Sequence, residues 1–428
     1  MKFSIVTHGC KLNQFESASI GSALSKLGLK YTENLEESNI VIFNSCTVTD
    51  TADRKAIKFI KQIKKLKEKD QKIFIITGCF AQTDKDRLIN FNHIDLIVDN
   101  KLKHKIPEII NNYLITNSLR ITQEKLSRKS RFEFDPDSFL GRTRGFLKIQ
   151  DGCNRFCSFC KVPFARGGSI SLEFEEVIRR FKKLLEIGFK EIVITGVNIT
   201  NYYWNGLSLK DLIKEMINIK GEFRVRLSSI MPDEFDLEIL EFVKTGKLCP
   251  HLHISLQSGS DYVIKLMKRN YTSKDLVKLS ERARKIDENF GLSGDVIVGF
   301  PGEKEEHFKE TIKTVEDMMF FRLHIFPFSP RRGTLASVMP DQVPYEVKKD
   351  RERILKETVT KISANFKKNL LNKYIRIIPE EIKENKIYGY ADNYLRVISN
   401  NLNLKHNEFE YVKVVDIKED DMTSVIAN

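Results

Sequence analysis

Two periods of apolar residues alternate over the first 115 residues. Short apolar runs at 3–6, 39–43, 73–77 and 95–98 have the length of strands. Between them, apolar positions recur every three or four residues. Ile20, Ala23, Leu24 and Leu27 mark a helix over about 14–27. Ile57, Ile60, Ile63 and Leu66 mark another over about 53–69, with Lys and Arg covering its remaining faces. Further helices are predicted over about 83–89 and 103–113. Strands alternating with helices predict a parallel sheet wound from βαβ units.

The pattern lapses over 116–140, a polar, charged stretch holding Lys125, Arg128, Lys129 and Arg131, which reads as a linker or a strap over a neighbouring surface. It then restarts. Strands at 146–149, 191–195, 223–228, 252–256, 293–298 and 323–326 alternate with helices at about 173–187, 208–218, 236–244, 273–288 and 304–319. Six such strands suffice for a partly open (β/α)6 barrel, whose working face lies at the strands' C-terminal ends. Pro327, Pro330, Pro340 and Pro344 break the pattern, and a long basic helix follows over about 345–372. The remainder alternates apolar and polar positions at 374–378, 386–390, 394–399 and 410–417, as a small all-β unit does. The expected architecture is α/β: a parallel-sheet domain at 1–115, a linker at 116–140, a barrel core at 141–372 and a β domain at 373–428.

Charge adds one expectation. The 428 residues carry a net +13, which attracts polyanions, nucleic acid first among them, although a generally lysine-rich proteome gives the same balance. The final domain, with eight Lys and Arg against ten Asp and Glu from Lys373 onward, is not the basic end. Residues 1–6 read as a first strand rather than a secretory leader, and no apolar run approaches the ~18 residues of a membrane helix. A reducing cytoplasm is the expected compartment, and seven cysteines in a chain of this length are not a disulfide scaffold.

The cysteines carry the chemistry. Cys153, Cys157 and Cys160 fall in a loop introduced by Asp151-Gly152, just past the first barrel strand, and Pro163 and Gly167-Gly168 keep the segment from being helical throughout. Three thiolates converging there make an iron–sulfur or zinc site with a vacant fourth position. A zinc knuckle completed by His251 or His253 is the plainer alternative. Cys10, Cys46 and Cys79 each stand just beyond a front-domain strand. Carboxyl ends of parallel strands share one edge, where ligands bind, so these three thiols are expected to meet and hold a second cluster. The alternative is three ordinary small buried residues. Cys249, beside Pro250, reads as a packed turn residue. Gly196 and Asn198, Ser228, Gln257, Gly299 and Gly302 also end strands; the glycines serve equally as turn formers.

The C-x3-C-x2-C loop, Ile149-Gln150-Asp151-Gly152-Cys153-Asn154-Arg155-Phe156-Cys157-Ser158-Phe159-Cys160, resembles that of the radical S-adenosylmethionine enzymes. With the three front cysteines it resembles the methylthiotransferases, over essentially the whole chain. His8-Gly9-Cys10-Lys11-Leu12-Asn13-Gln14, Asn44-Ser45-Cys46-Thr47, Thr77-Gly78-Cys79-Phe80 and Pro327-Phe328-Ser329-Pro330-Arg331 resemble the branch acting on threonylcarbamoyladenosine in tRNA. Lys161 departs from the family's usual apolar residue. The tail resembles the family's RNA-binding (TRAM) barrel mainly at Gly389-Tyr390-Ala391-Asp392-Asn393-Tyr394, without its other glycines or positive charge. The resemblance implies two [4Fe–4S] clusters, one on Cys153, Cys157 and Cys160 and one on Cys10, Cys46 and Cys79. It implies S-adenosylmethionine held near Gly196, Asn198, Ser228, Gln257, Gly299 and Gly302, with His324 and Phe326 as candidates beside its adenine or as barrel packing. It also implies a tRNA substrate methylthiolated at C2 of the adenosine at position 37, a low-potential electron donor of the flavodoxin or ferredoxin type, no membrane, and a monomer. Isopentenyladenosine in tRNA and a ribosomal-protein aspartate are alternative substrates; a single-cluster radical enzyme and a non-catalytic zinc and RNA-binding protein are alternatives of other kinds.

Overall fold

The computed structural model describes residues 1–116, 131–134, 143–419 and 421–428. The front domain is a five-stranded parallel sheet of β1 (Lys2–Thr7), β2 (Lys30–Tyr31), β3 (Ile40–Ser45), β4 (Ile73–Gly78) and β5 (Leu96–Ile97), ordered β2-β1-β3-β4-β5. β3 and β4 are buried on both faces, as a near-continuous apolar run in a parallel sheet requires. α1 (Lys11–Lys26) covers one face and α2 (Asp50–Lys69) the other. α2 begins three residues earlier than its apolar stripe suggests, because the Thr49 hydroxyl accepts from the Ala52 amide and caps it. The helix expected over 83–89 is two short pieces, Cys79–Thr83 and Lys85–Leu88, parted at Asp84.

The barrel strands are β6 (Arg144–Lys148), β7 (Glu191–Thr195), β8 (Arg224–Leu227), β9 (Ser229–Ile230), β10 (His251–Gln257), β11 (Gly291–Val298) and β12 (Arg322–Pro327). β6-β7-β8 and β9-β10-β11-β12 are two parallel sheets, and the chain steps from one to the other at Ser228. The arc is open between β6 and β12. α1 packs against β6, and α3 (Tyr345–Lys368) packs against β12, so neither edge is left bare. One face of the front sheet and the barrel's helix-covered face share a continuous apolar core. The segment expected as a helix over 236–244 is a 3-10 helix, Leu237–Thr245.

The tail closes a five-stranded barrel from β13 (Tyr374–Lys383), β14 (Lys386–Ala391), β15 (Arg396–Ser399), β16 (Glu410–Ile417) and β17 (Ser424–Ala427). Its Ala391–Tyr394 turn plugs the N-terminal end of the main barrel. Arg224 donates to the Asp392 carboxylate (2.7 Å) and the Tyr390 carbonyl (2.9 Å), and Arg226 donates to the Asp392 carbonyl (2.9 Å). The Asn393 carbonyl lies only 2.1 Å from where a Cβ on Gly291 would stand.

Lys125, Arg128 and Lys129 of the expected linker lie outside the described residues. Within 131–134, Phe132 and Phe134 are buried, Arg180 donates to the Phe132 carbonyl (2.9 Å), and Arg131 donates to the Gly168 carbonyl (2.8 Å).

Candidate functional site

β1, β3 and β4 are neighbours in one parallel sheet, so their carboxyl ends stand side by side. Cys10 follows β1 and starts α1; Cys46 follows Ser45, the last residue of β3; Cys79 follows Gly78, the last of β4. Gly78 has φ +99, and a Cβ there would stand 2.2 Å from the Ser45 carbonyl oxygen, so only glycine lets β4 turn Cys79 toward Cys46. The three thiols sense one another. Burial first, then Cys79 and Cys10, push the Cys46 thiol up to about 12. Asn100, which the sequence reading did not mark, donates to the Cys79 Sγ (3.6 Å) and to the Ala165 carbonyl (3.0 Å).

The second triad lies on the loop after β6. The Cys153 amide donates to the Gly167 carbonyl (3.0 Å), the Ser158 amide to the Met267 carbonyl (3.2 Å), and the Cys160 amide to the Cys157 carbonyl (3.0 Å). Gly152, φ +73, abuts the Gly168 carbonyl, 2.1 Å from a notional Cβ. Burial, with Cys157 and Cys153 adding to it, pushes the Cys160 thiol up to about 12, and burial raises Cys153 as well. All seven cysteines are free thiols. Among the described residues no three His, Cys, Asp or Glu side chains gather tightly enough to hold a single metal ion. Both donor sets suit a cluster, in which each thiolate takes its own iron. Deprotonating three neighbouring thiols together, two of them buried in each set, demands a strongly cationic occupant, which an iron–sulfur core is.

Polar bonds fix the two triads relative to each other. Arg166, six residues past Cys160, donates to Glu16 of α1 (2.9 and 3.1 Å) and to the Asn13 side chain (2.7 Å). Glu16 also accepts from Lys103 (2.6 Å) and Lys148 (3.2 Å), and Lys148 bridges to Asp151 (2.7 Å). All are buried. Burial raises a carboxyl, but Arg166, Lys103 and Lys148 together hold Glu16 well below the usual carboxylate range. Nearer the cysteines, Lys161 pairs with Asp84 (2.7 Å), and Arg331 donates to Asp53 (2.6 Å) and Thr47 (2.7 Å).

Of the strand-end residues, Asn198 lines a polar cavity of about 330 Å³ beside Cys153, with Arg155, Glu234, Lys268 and Asn270. Glu234 organises it, accepting from Asn198 (2.6 Å) and Arg155 (2.9 Å). Gly196 makes room for Gln150, whose Oε1 accepts from the amides of Val197 and Asn198. Ser228 sits at the step between the sheets, and its buried Oγ has no hydrogen-bond partner among the described residues. Gln257 ends β10 at φ +58. Gly299 stands against Lys348 of α3 and Gly302 beside Leu266, so both are placed in a turn that packs on neighbouring elements. His324 stacks on Phe326 (6.4 Å) on the inner face of β12. Cys249 is buried beside Arg224 and Arg226 at the barrel's base, away from both triads. Asp233-Glu234, two acids just past a barrel strand, was the signal the sequence offered for the cavity's organiser.

Residues 147–315 match the radical SAM superfamily, and residues 2–99 match an uncharacterized protein family, UPF0004. A threonylcarbamoyladenosine tRNA methylthiotransferase MtaB of Thermotoga maritima is 37% identical, over 99% of this chain and 96% of the relative. The chain belongs to the radical S-adenosylmethionine methylthiotransferase family. Another relative of that name, from Bacillus subtilis, is 34% identical over 96% of this chain and 92% of its own. A tRNA-2-methylthio-N(6)-dimethylallyladenosine synthase of Fusobacterium nucleatum is 33% identical over 97% and 98%. Among solved structures, the radical S-adenosylmethionine methyltransferase TsrM of Kitasatospora setae superposes with a TM-score of 0.56 at 14% identity, covering 79% of this chain and 75% of that one, a likeness of fold. This methylthiotransferase is therefore an enzyme; its family implies S-adenosylmethionine and a [4Fe–4S] cluster, and the non-catalytic zinc reading has no support. No helix among the described residues is long and apolar enough to cross a membrane.

Proposed function

We propose that this protein inserts a methylthio group at C2 of threonylcarbamoyladenosine at position 37 of tRNA, beside the anticodon. The observation that carries the reading is the pair of thiol triads, on separate domains, locked across one gap by Arg166, Glu16, Lys161 and Asp84. Cys153, Cys157 and Cys160 would hold the cluster that binds S-adenosylmethionine, and Cys10, Cys46 and Cys79 the second [4Fe–4S] cluster. The bound groups supply one-electron chemistry and the methylthio group, which no side chain provides. The chain's own residues place and enclose. Glu234, holding Asn198 and Arg155, shapes the cavity beside Cys153 for a zwitterionic ligand. Phe156 and Phe164, each more than half exposed and 5.9 Å apart, offer unpaired bases a stacking surface at the gap. The substrate class follows the names of the relatives at 37% and 34% identity. The cellular setting is the cytoplasm, with tRNA as partner, a flavodoxin- or ferredoxin-type reductant, and a monomeric enzyme.

Nucleoside mass spectrometry of tRNA from cells lacking this protein tests the reading. The 2-methylthio derivative of threonylcarbamoyladenosine should vanish; its persistence would overturn the assignment, and loss of the isopentenyl derivative instead would move the enzyme to the branch of the Fusobacterium relative.

A further inference from the structure

The inner face of the barrel carries a band of charged and polar groups. Strand alternation puts Arg144 of β6, Glu191 of β7, Arg226 of β8, His253 of β10, Asp295 of β11 and His324 of β12 on it; Arg144 stands opposite Glu191 and Asp295 opposite His324, while Arg226 and His253 are offset along their strands from Glu191 and Asp295. Most of these groups are already satisfied. Glu191 takes Arg224 and Arg226, Arg144 pairs with Glu380 of the tail (2.8 Å), and His253 bridges Ser293 (2.9 Å) and Asp295 (3.1 Å). Two cations are not. Lys11, from the start of α1, enters the lumen through the opening between β6 and β12. The charged and aromatic groups it faces come from every side of the arc: Arg144, Glu191, Arg226, His251, Asp295 and His324, with its Nζ 5.6 Å from the Tyr394 ring of the plug. Arg322 stands at the base of β12, facing His251, His324 and Tyr390. Neither Lys11 nor Arg322 makes an ion pair or side-chain hydrogen bond among the described residues. Both keep accessible surface, and His324 and Phe326 above them are exposed on the same inner face. Two partly buried cations that no carboxylate pairs directly are costly unless a ligand brings the anion. The excess charge is visible at the plug: burial would raise the Tyr394 phenol, yet Lys11, Arg144 and Arg226 bring it down to about 8.

Both cysteine triads sit at the strands' C-terminal ends, above this floor. The C2–H and C6–N6 bonds of adenine diverge along one edge of the ring, so a base seated with C2 at the triads has an orientation that carries its N6 substituent into the lumen. We propose, resting on the threonylcarbamoyladenosine reading, that Lys11 and Arg322 form the subsite for the free carboxylate of the threonylcarbamoyl group, and so select it over the uncharged isopentenyl group. An isopentenyl chain would leave both cations uncompensated in a closed well, so the same residues attract one substrate and repel the other.

Binding tests this without turnover. The full chain with both clusters reconstituted anaerobically is titrated, by fluorescence anisotropy, with anticodon stem-loop RNAs carrying threonylcarbamoyladenosine, its methyl ester, or isopentenyladenosine. The free acid should bind roughly 10- to 100-fold tighter than the ester, as a charge-assisted contact warrants. Lys11→Gln and Arg322→Gln should each bring the two within a few-fold while leaving ester binding unchanged. Iron content is measured for each variant; Arg322→Gln, on β12, carries the test should Lys11→Gln, adjoining Cys10, lose iron. Equal binding of acid and ester by the native protein would overturn the inference. So would variants that weaken acid and ester alike, which would assign the two cations to backbone phosphate. A native protein that prefers acid and ester equally over the isopentenyl loop would overturn this inference and leave the proposed function standing; preference for the isopentenyl loop would overturn both.

Discussion

Glu16→Ala removes the one carboxylate that three buried cations share across the domain boundary. In the native chain Glu16 is 3% exposed and Lys103 0%, and Lys103, Lys148 and Arg166 approach its two oxygens at 2.6 to 3.2 Å. Asp151 can still compensate Lys148 and Arg166, at 2.7 and 3.2 Å. Among the described residues Lys103 pairs with no other carboxylate, so the substitution strands one full buried charge. Removing one partner of a buried pair costs about 3–5 kcal/mol. At roughly 2.1 cal/mol/K per residue, unfolding all 428 residues together carries an entropy near ~0.9 kcal/mol/K, so the loss corresponds to a fall of about 3–6 °C in Tm. Anaerobic scanning calorimetry of the cluster-loaded protein at pH 7.5 reads it. Because Glu16 is held below its ordinary value, its contribution is complete above the unfolded carboxyl range and disappears only as pH falls through the depressed folded value. Glu16's own contribution should thus be constant from pH 6 to 8. A fall of less than one degree would refute the view that this network ties the domains together.

Cys46→Ala should lower iron from about eight to about four per chain, four per cluster, and unchanged iron would return the enzyme to a single cluster. Gly78→Ala should do the same without touching a thiol, since its Cβ would collide with Ser45 backbone 2.2 Å away; full iron content would mean β4 can turn without the left-handed residue. Tyr394, with its phenol at about 8 against an unfolded value near ~10, stabilises the fold as phenolate; the contribution is full above the unfolded value and lost as pH falls through about 8. Tyr394→Phe should therefore remove a rise of about 2–3 kcal/mol between those limits, measured by urea midpoints, and a pH-independent difference would contradict the positive lumen.

What the chain revealed without coordinates was what depends on period and position. Cys10, Cys46 and Cys79 are separated by long stretches, yet each follows an apolar run of strand length, and the topology of a parallel sheet does the rest. Glu16, Lys103 and Lys148 were illegible for the opposite reason. A charged residue within a helix or strand reads as solvated, and only tertiary contact shows that these four-carbon stems and their partner meet inside. Lys11 was hidden likewise, since a helix beginning at Lys11 rather than at about 14 aims its first side chain across the domain boundary. The strand Ser424–Ala427 escaped because four residues after an acidic turn carry too little alternation; β15 and β16 on either side supply its pairing.

The plug at the barrel's floor also sets an order of assembly. Arg224 and Arg226 leave the ribosome well over a hundred residues before Asp392 and the Tyr390 and Ala391 carbonyls that neutralise and hydrogen-bond them. Until those residues emerge, a nascent barrel has an open, positively charged base through which water can reach the lumen. A segment translated long after the barrel strands is thus the one that closes the floor of the lumen, and a message cut short before codon 392 would yield a barrel complete in its strands and open at the bottom.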